Sequence, residues 1–226
     1  MRAIGGLMRR VFLFFVLISL ALCVFAETVV LTPGENGARA LSSTASEIVL
    51  EFQISSFERE SVRINNQDYS LIRLPGEGIS LDAGLPELPV LNRSVIIDDQ
   101  AKMRAEIYDL QYQDIELRIA PSKGNLMRNQ EPALVPWTFG AVYQEDEYYP
   151  RLQVELSEPY IYRDFRGITV KTNPFAYNPA RGILRVYTSY KVRLVPDGQD
   201  TINTFNSTRG EILREFATAY EHHFLN

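Results

Sequence analysis

Few side chains in this sequence carry the chemistry of a catalyst. The only cysteine is Cys23 and the only histidines are His222 and His223. Neighbours on a helix point about 100° apart, so these two imidazoles do not converge on a metal or activate a nucleophile. They read as exposed residues at a helix C-terminus, where a partial positive charge suits the dipole. The run Gln144-Glu145-Asp146-Glu147 offers the oxygen ligands that calcium takes. No spaced acidic loop with a turn glycine surrounds it, so it reads as a solvated surface or a clasp for a basic partner. Gly76, Gly78 and Gly84 stand among prolines with no helix after them, unlike a phosphate-cradling loop. No carboxylate pair is marked for glycoside hydrolysis, whose two acids can lie far apart in sequence. Nothing in the sequence requires a cofactor or a metal.

Two basic side chains are better placed. Residues 119–149, IAPSKGNLMRNQEPALVPWTFGAVYQEDEYY, form a long turn-rich stretch that sets Lys123, Gly124 and Arg128 in a polar loop ahead of Val135, Trp137, Phe139, Val142 and Tyr143. Connections beyond about 12–15 residues are uncommon in compact domains and are either functional or disordered. The apolar anchors argue for an ordered loop that presents a basic tip.

The elements that position this loop follow from periodicity. Ile48, Leu50, Phe52 and Ile54 alternate with polar neighbours, as do Val62 and Ile64, then Tyr69 and Leu71, the period-two pattern of half-buried strands. Asn65-Asn66-Gln67-Asp68 supplies a hairpin turn. Residues 76–89 are rich in Gly and Pro and should cross between sheets. Strands of four to eight residues are expected at 90–97, at 103–110 and at 115–119. After the loop come 152–156, 160–162 and 168–177, and then the clearest strand, with Leu184, Val186, Thr188, Tyr190, Val192 and Leu194 on one face. Residues 209–226 carry Ile212, Phe216, Tyr220 and Phe224 at spacings of four, an amphipathic helix. The fold class is all-β: an antiparallel, jelly-roll-like β-sandwich with a C-terminal amphipathic helix.

The chain opens with Arg2, Arg9 and Arg10, an apolar run over 11–25, and Val24-Phe25-Ala26. This is the pattern of a secretory signal peptide cut after Ala26. The apolar run is short of the roughly 20 residues a spanning helix needs, and Leu22 before Cys23 does not suit a lipoprotein signal. Cleavage removes Cys23, leaving no thiol, disulfide or cysteine nucleophile. It also removes three arginines, moving the net charge of −5 to about −8. An acidic exported domain lacks the basic footprint of a nucleic-acid binder. The organisation expected is a signal peptide at 1–26, a flexible leader at 27–46 with one short strand at 29–31, a β-sandwich at 47–200, and a linker with the helix at 201–226.

IAPSKG at 119–124, with Arg128, Pro132, Val135-Pro136 and Phe139-Gly140, resembles the propeptide of the gingipain-type cysteine peptidases of Bacteroidetes. So do GLPELPV at 84–90 with Arg93-Ser94, SEP at 157–159, YRDFRG at 162–167, YNP at 177–179 and LRVYT at 184–188. The motifs run in the family's order from about residue 48 onward. The resemblance implies a secreted prodomain that assists folding of its peptidase and blocks the active-site cleft until cut away. It also implies that a basic loop residue enters the specificity pocket: Arg128 matches that position, with Lys123 the second candidate. The implied partner is the catalytic domain of a gingipain-like cysteine peptidase, in cis or in trans, and the expected destination is the periplasm, outer surface or exterior. No catalytic residue is expected, because the family's His and Cys dyad would follow Asn226. Arg209 and Arg214 are the basic residues nearest the end at which a maturation cut would fall. The competing reading is a binding module, an adhesin or glycan-binding sandwich, whose Trp137, Tyr148 and Tyr149 would form a concave stacking platform. An unmarked carboxylate hydrolase is a third reading.

Overall fold

The strand with the clearest alternation organises the whole domain. In the computed structural model, which describes residues 26–205 and 214–226, it is β13 (Ile183–Gln199). Its Leu184, Val186, Tyr190, Val192 and Leu194 are fully buried and Thr188 nearly so. Arg185, Tyr187, Lys191 and Arg193, on the opposite face, are only half-buried. Such a strand satisfies ladders on both edges. One edge carries β8 (Ala101–Glu116); the other carries first β12 (Phe175–Asn178) and then β3 (Ile48–Gln53), outside which lies β2 (Gly37–Ser43).

A second sheet orders β10 (Tyr160–Tyr162), β11 (Phe165–Thr172), β7 (Pro89–Ile96) and β6 (Gly78–Ile79), with β9 (Val154–Leu156) also on β11. The buried faces of these two sheets share one core: Leu50, Phe52, Leu91, Val95, Ile168, Val170, Val186 and Val192 all belong to it. Phe52 stacks on Tyr190 at 4.9 Å, and the Tyr190 hydroxyl meets Thr172 Oγ1 at 2.7 Å. A third sheet comprises β1 (Glu27–Val30), β4 (Ser56–Ile64) and β5 (Gln67–Arg73). Its hairpin turns at Asn65 and Asn66, with φ of 49° and 64°. Two consecutive left-handed residues make the tight turn whose twist matches antiparallel strands, and asparagine tolerates that region.

Among the described residues, antiparallel strands with one short α-helix, α1 (Ala217–His223), match the expected class. Three local expectations change. The leader is not a flexible segment: residues 27–46 hold β1 and β2, and β2 pairs with β3 from Gly37↔Gln53 to Ser43↔Ile48. GARALSS has little strand character of its own, and the open edge of β3 imposes the conformation. The strands expected at 103–110 and 115–119 fuse largely into the 16-residue β8, because Asp109, at φ +55°, and the register shifts beside it absorb the change of phase without ending the ladder. Among the described residues of the expected terminal helix, Ala217–His223 is α-helical; Phe224 leaves it to bridge Ser94 of β7. Residues 1–25, Arg209 and Ile212 lie outside the described residues. Ala26 is exposed, and Arg214 begins a 3-10 turn.

Candidate functional site

The stretch 119–149 is tied at both ends and open in the middle. It leaves the core as a bridge to β5, with Ser70 N–H donating to the Arg118 carbonyl at 2.8 Å and Ala120 N–H to the Ser70 carbonyl at 3.0 Å. Ser122 then donates to Leu85 at 2.7 Å and accepts from Gly84 at 2.9 Å. The segment rich in Gly and Pro therefore forms the sill of the loop. The chain returns where Gly140 N–H donates to the Gly84 carbonyl at 2.9 Å. A Cβ on Gly140 would stand 2.8 Å from that same oxygen, so the approach admits only glycine.

Aromatic rings fill the space under the return. Phe139 lies 5.3 Å from Tyr69 and 4.8 Å from Tyr143, and the Tyr143 hydroxyl donates to the Ile119 carbonyl at 3.0 Å. Burial pushes the Tyr143 phenol well above its usual value, which keeps it a neutral donor. Asp146 clasps the turn after β12, accepting from Arg181 Nε at 2.6 Å and Asn178 Nδ2 at 2.8 Å. The Arg181 guanidinium, with Asn178, holds the Asp146 carboxyl below the ordinary carboxylate range. Tyr149 and Tyr177 exchange backbone hydrogen bonds of 2.9 and 2.8 Å.

The two basic candidates have different surroundings. Lys123 turns inward: its ammonium donates to the Pro132 carbonyl at 2.7 Å and sits 4.2 Å from the centre of the Trp137 ring. This braces the 3-10 turn Pro132–Leu134 against the start of the loop. Gly124 follows at φ +83°, where an added Cβ would stand 3.1 Å from that of Ala83, so the chain can bend over the sill there. Arg128 occupies the outer corner of a turn closed by Gln130 N–H donating to the Met127 carbonyl at 2.9 Å. It is exposed and, among the described residues, has no hydrogen bond or ion pair. Met127 beside it is 73% exposed and Leu134 is 82% exposed. The tip thus offers a cation beside an exposed apolar side chain, with a second exposed apolar residue further along the loop.

The remaining candidates lie apart from one another. Trp137 is half-buried against the small cluster of Ile64, Leu71 and Ala120. Tyr148 lies under the Arg185 guanidinium, 4.3 Å from its ring centre, with its hydroxyl 3.3 Å from Asp114. Tyr149 joins the ladder to Tyr177, so each of the three aromatics is engaged by a different part of the domain. Glu147 pairs with Arg151 at 2.9 Å, and among the described residues no three His, Cys, Asp or Glu side chains gather to hold a metal. His223 is not the exposed residue expected: it stacks on Tyr162 at 4.3 Å and meets the Tyr160 hydroxyl at 2.9 Å. Gln130, Asp146 and Arg166 hold the loop or its frame, roles that the sequence does not assign to them: there Asp146 stands only in the acidic run 144–147, Arg166 only in YRDFRG at 162–167, and Gln130 only in the polar loop.

The family model described as Propeptide_C25 matches residues 32–224. Gingipain R1 of Porphyromonas gingivalis is 29% identical over 219 residues, covering 92% of this chain and 22% of that protein. Gingipain R2 of the same species is 29% identical over 200 residues, covering 86% of this chain and 27% of that protein. The chain therefore spans about a quarter of the curated relatives it matches. Among solved structures, the complex of Porphyromonas gingivalis RgpB pro- and mature domains contains a chain that superposes with a TM-score of 0.74 at 28% identity, covering 84% of this chain and 97% of that one. A gingipain K structure from the same organism, described as bearing on zymogenic latency, shares the fold at a TM-score of 0.65 and 14% identity, covering 77% of this chain. Since that family model spans most of the chain, the chain belongs to the Propeptide_C25 family and is a gingipain-type propeptide, distinct from the catalytic domain of such a zymogen.

Proposed function

We propose that this propeptide inhibits a gingipain-like cysteine peptidase, and chaperones its folding, by setting Arg128 into the primary specificity pocket of the catalytic domain. The observation that carries this reading is the contrast between the two loop cations: Lys123 braces the loop from within, whereas Arg128 stands free at its corner. A guanidinium offers a planar fork of donors that pairs bidentately with a carboxylate. The exposed Met127 and Leu134 add apolar surface that a protein partner would cover. The similarity to a structure described as a complex of pro- and mature domains supports a catalytic-domain partner, met in cis or in trans. Under this reading the chain is exported, loses residues 1–26 after Ala26, and is released from its peptidase by cuts at Arg209 or Arg214.

The test is a titration of the purified chain into an arginine-specific gingipain while a small fluorogenic substrate is cleaved. Arg128→Ala should weaken inhibition at least about tenfold, since loss of a buried charge-assisted contact commonly costs about 2 kcal/mol or more. Lys123→Met should instead speed hydrogen exchange at residues 131–135, which Arg128→Ala leaves unchanged. An inhibition constant unaltered by Arg128→Ala removes Arg128 from the role.

A further inference from the structure

The corner that carries Arg128 is held by a side chain as well as by its own backbone. Gln130 N–H donates to the Met127 carbonyl at 2.9 Å, and Gln130 Oε1 accepts from Met127 N–H at 2.8 Å. Residues 127 and 130 are thus joined twice. Neither Arg128 nor Asn129 is among the residues with positive φ. A closed turn with negative φ at both corner positions is type I, which places Arg128 in the helical region of the backbone. Peptides that bind along a groove by backbone pairing do so extended, and attack on a carbonyl carbon needs the reacting atoms about 3–3.5 Å apart and aligned. A type I corner is not extended and so lacks the backbone pairing that would hold its carbonyl in that alignment.

We infer that Gln130 is a positioning residue that keeps the Arg128 loop an inhibitor and prevents it from becoming a substrate. This rests on the reading of Arg128 given above. The side-chain amide locks the turn, so that Arg128 enters the pocket while the Arg128–Asn129 peptide stays out of the extended geometry required for cleavage. Once the turn opens, the peptidase can hydrolyse that bond. Water adds across the amide, the C–N bond breaks, Arg128 keeps a carboxylate and Asn129 leaves as the new amino terminus.

Three variants of the purified chain are incubated with an arginine-specific gingipain: Gln130→Ala, Gln130→Glu and Arg128→Ala. Residual activity and mass spectra of the chain are followed together. Gln130→Ala should inhibit at mixing as the parent does, then lose inhibition as the Arg128–Asn129 bond is cut about three- to tenfold faster, the range set by losing one hydrogen bond. Gln130→Glu retains an acceptor for Met127 N–H and should stay as intact as the parent. A cutting rate for Gln130→Ala within about twofold of the parent, or a Gln130→Glu variant cut as fast as Gln130→Ala, overturns the inference. Full inhibition by Arg128→Ala overturns the reading beneath it, and the two failures are seen in different variants.

Discussion

Arg166 is the largest fully buried side chain in the domain, and replacing it with methionine tests the account of how the second sheet is closed. Its guanidinium, on β11, donates from Nη1 to the carbonyls of Asp98 and Ala101 at 2.9 and 2.8 Å. Nε reaches Asn203 at 3.0 Å, and Nη2 reaches Ile202 at 3.0 Å and the Asp200 carboxylate at 2.7 Å. All five donors of the fork are therefore used, and they tie two separate segments to the sheet. Methionine keeps the aliphatic volume and removes every donor. Asp200 would still accept from Thr201 and Ile202 N–H, so the loss falls mainly on four carbonyls. Those of Asp98, Ile202 and Asn203 belong to exposed residues that water can reach, whereas Ala101 is buried. The expected cost is about 3–5 kcal/mol, as for breaking a buried ion pair from one side. With about 190 described residues at ~2.1 cal/mol/K each, the unfolding entropy is about 0.4 kcal/mol/K. The melting temperature should then fall by about 8–12 °C in a calorimetric scan. Arg166→Lys, with one nitrogen to serve five acceptors, should recover little of this. A drop of less than about 3 °C for Arg166→Met refutes the reasoning.

Two further outcomes bear on the loop. Gly140→Ala places a methyl against the Gly84 backbone and should break the 2.9 Å bond that closes the sill; a local cost of about 1–3 kcal/mol appears as faster hydrogen exchange at Gly140, and unchanged exchange there rules the contact unimportant. Acidification should loosen the return of the loop. Asp146, held low by Arg181 and Asn178, and Asp114, held low first by Arg185, have folded-state pKa values below the unfolded value of about 3.9. The stability they contribute is present above that value and is lost as pH falls through the folded one. Thermal scans from pH 7 down to pH 3 should therefore show a shallower decline for Asp146→Asn than for the parent, and parallel curves dismiss the clasp.

Much of the architecture could be read in the sequence because alternation is a local code. The burial of every second residue of β13 follows from period two alone, and the Asn65-Asn66 turn follows from tolerance of positive φ. Collinear motifs pointed to the propeptide family, and the long stretch 119–149 stood out as a presenting loop by its length and its apolar anchors. Other features depend on partners distant in the chain, which no local pattern encodes. GARALSS becomes a strand only because β3 leaves an edge open. Arg166, placed on β11 like a surface cation, is buried because four carbonyls and a carboxylate some 34 to 68 residues away converge on it. Lys123 and Arg128 are alike as cations in one polar loop, and the sequence by itself could rank them only by resemblance. The tertiary structure separates them, since folding brings Pro132 and Trp137 back onto Lys123 while the doubly bonded turn at Gln130 holds Arg128 away from every such contact.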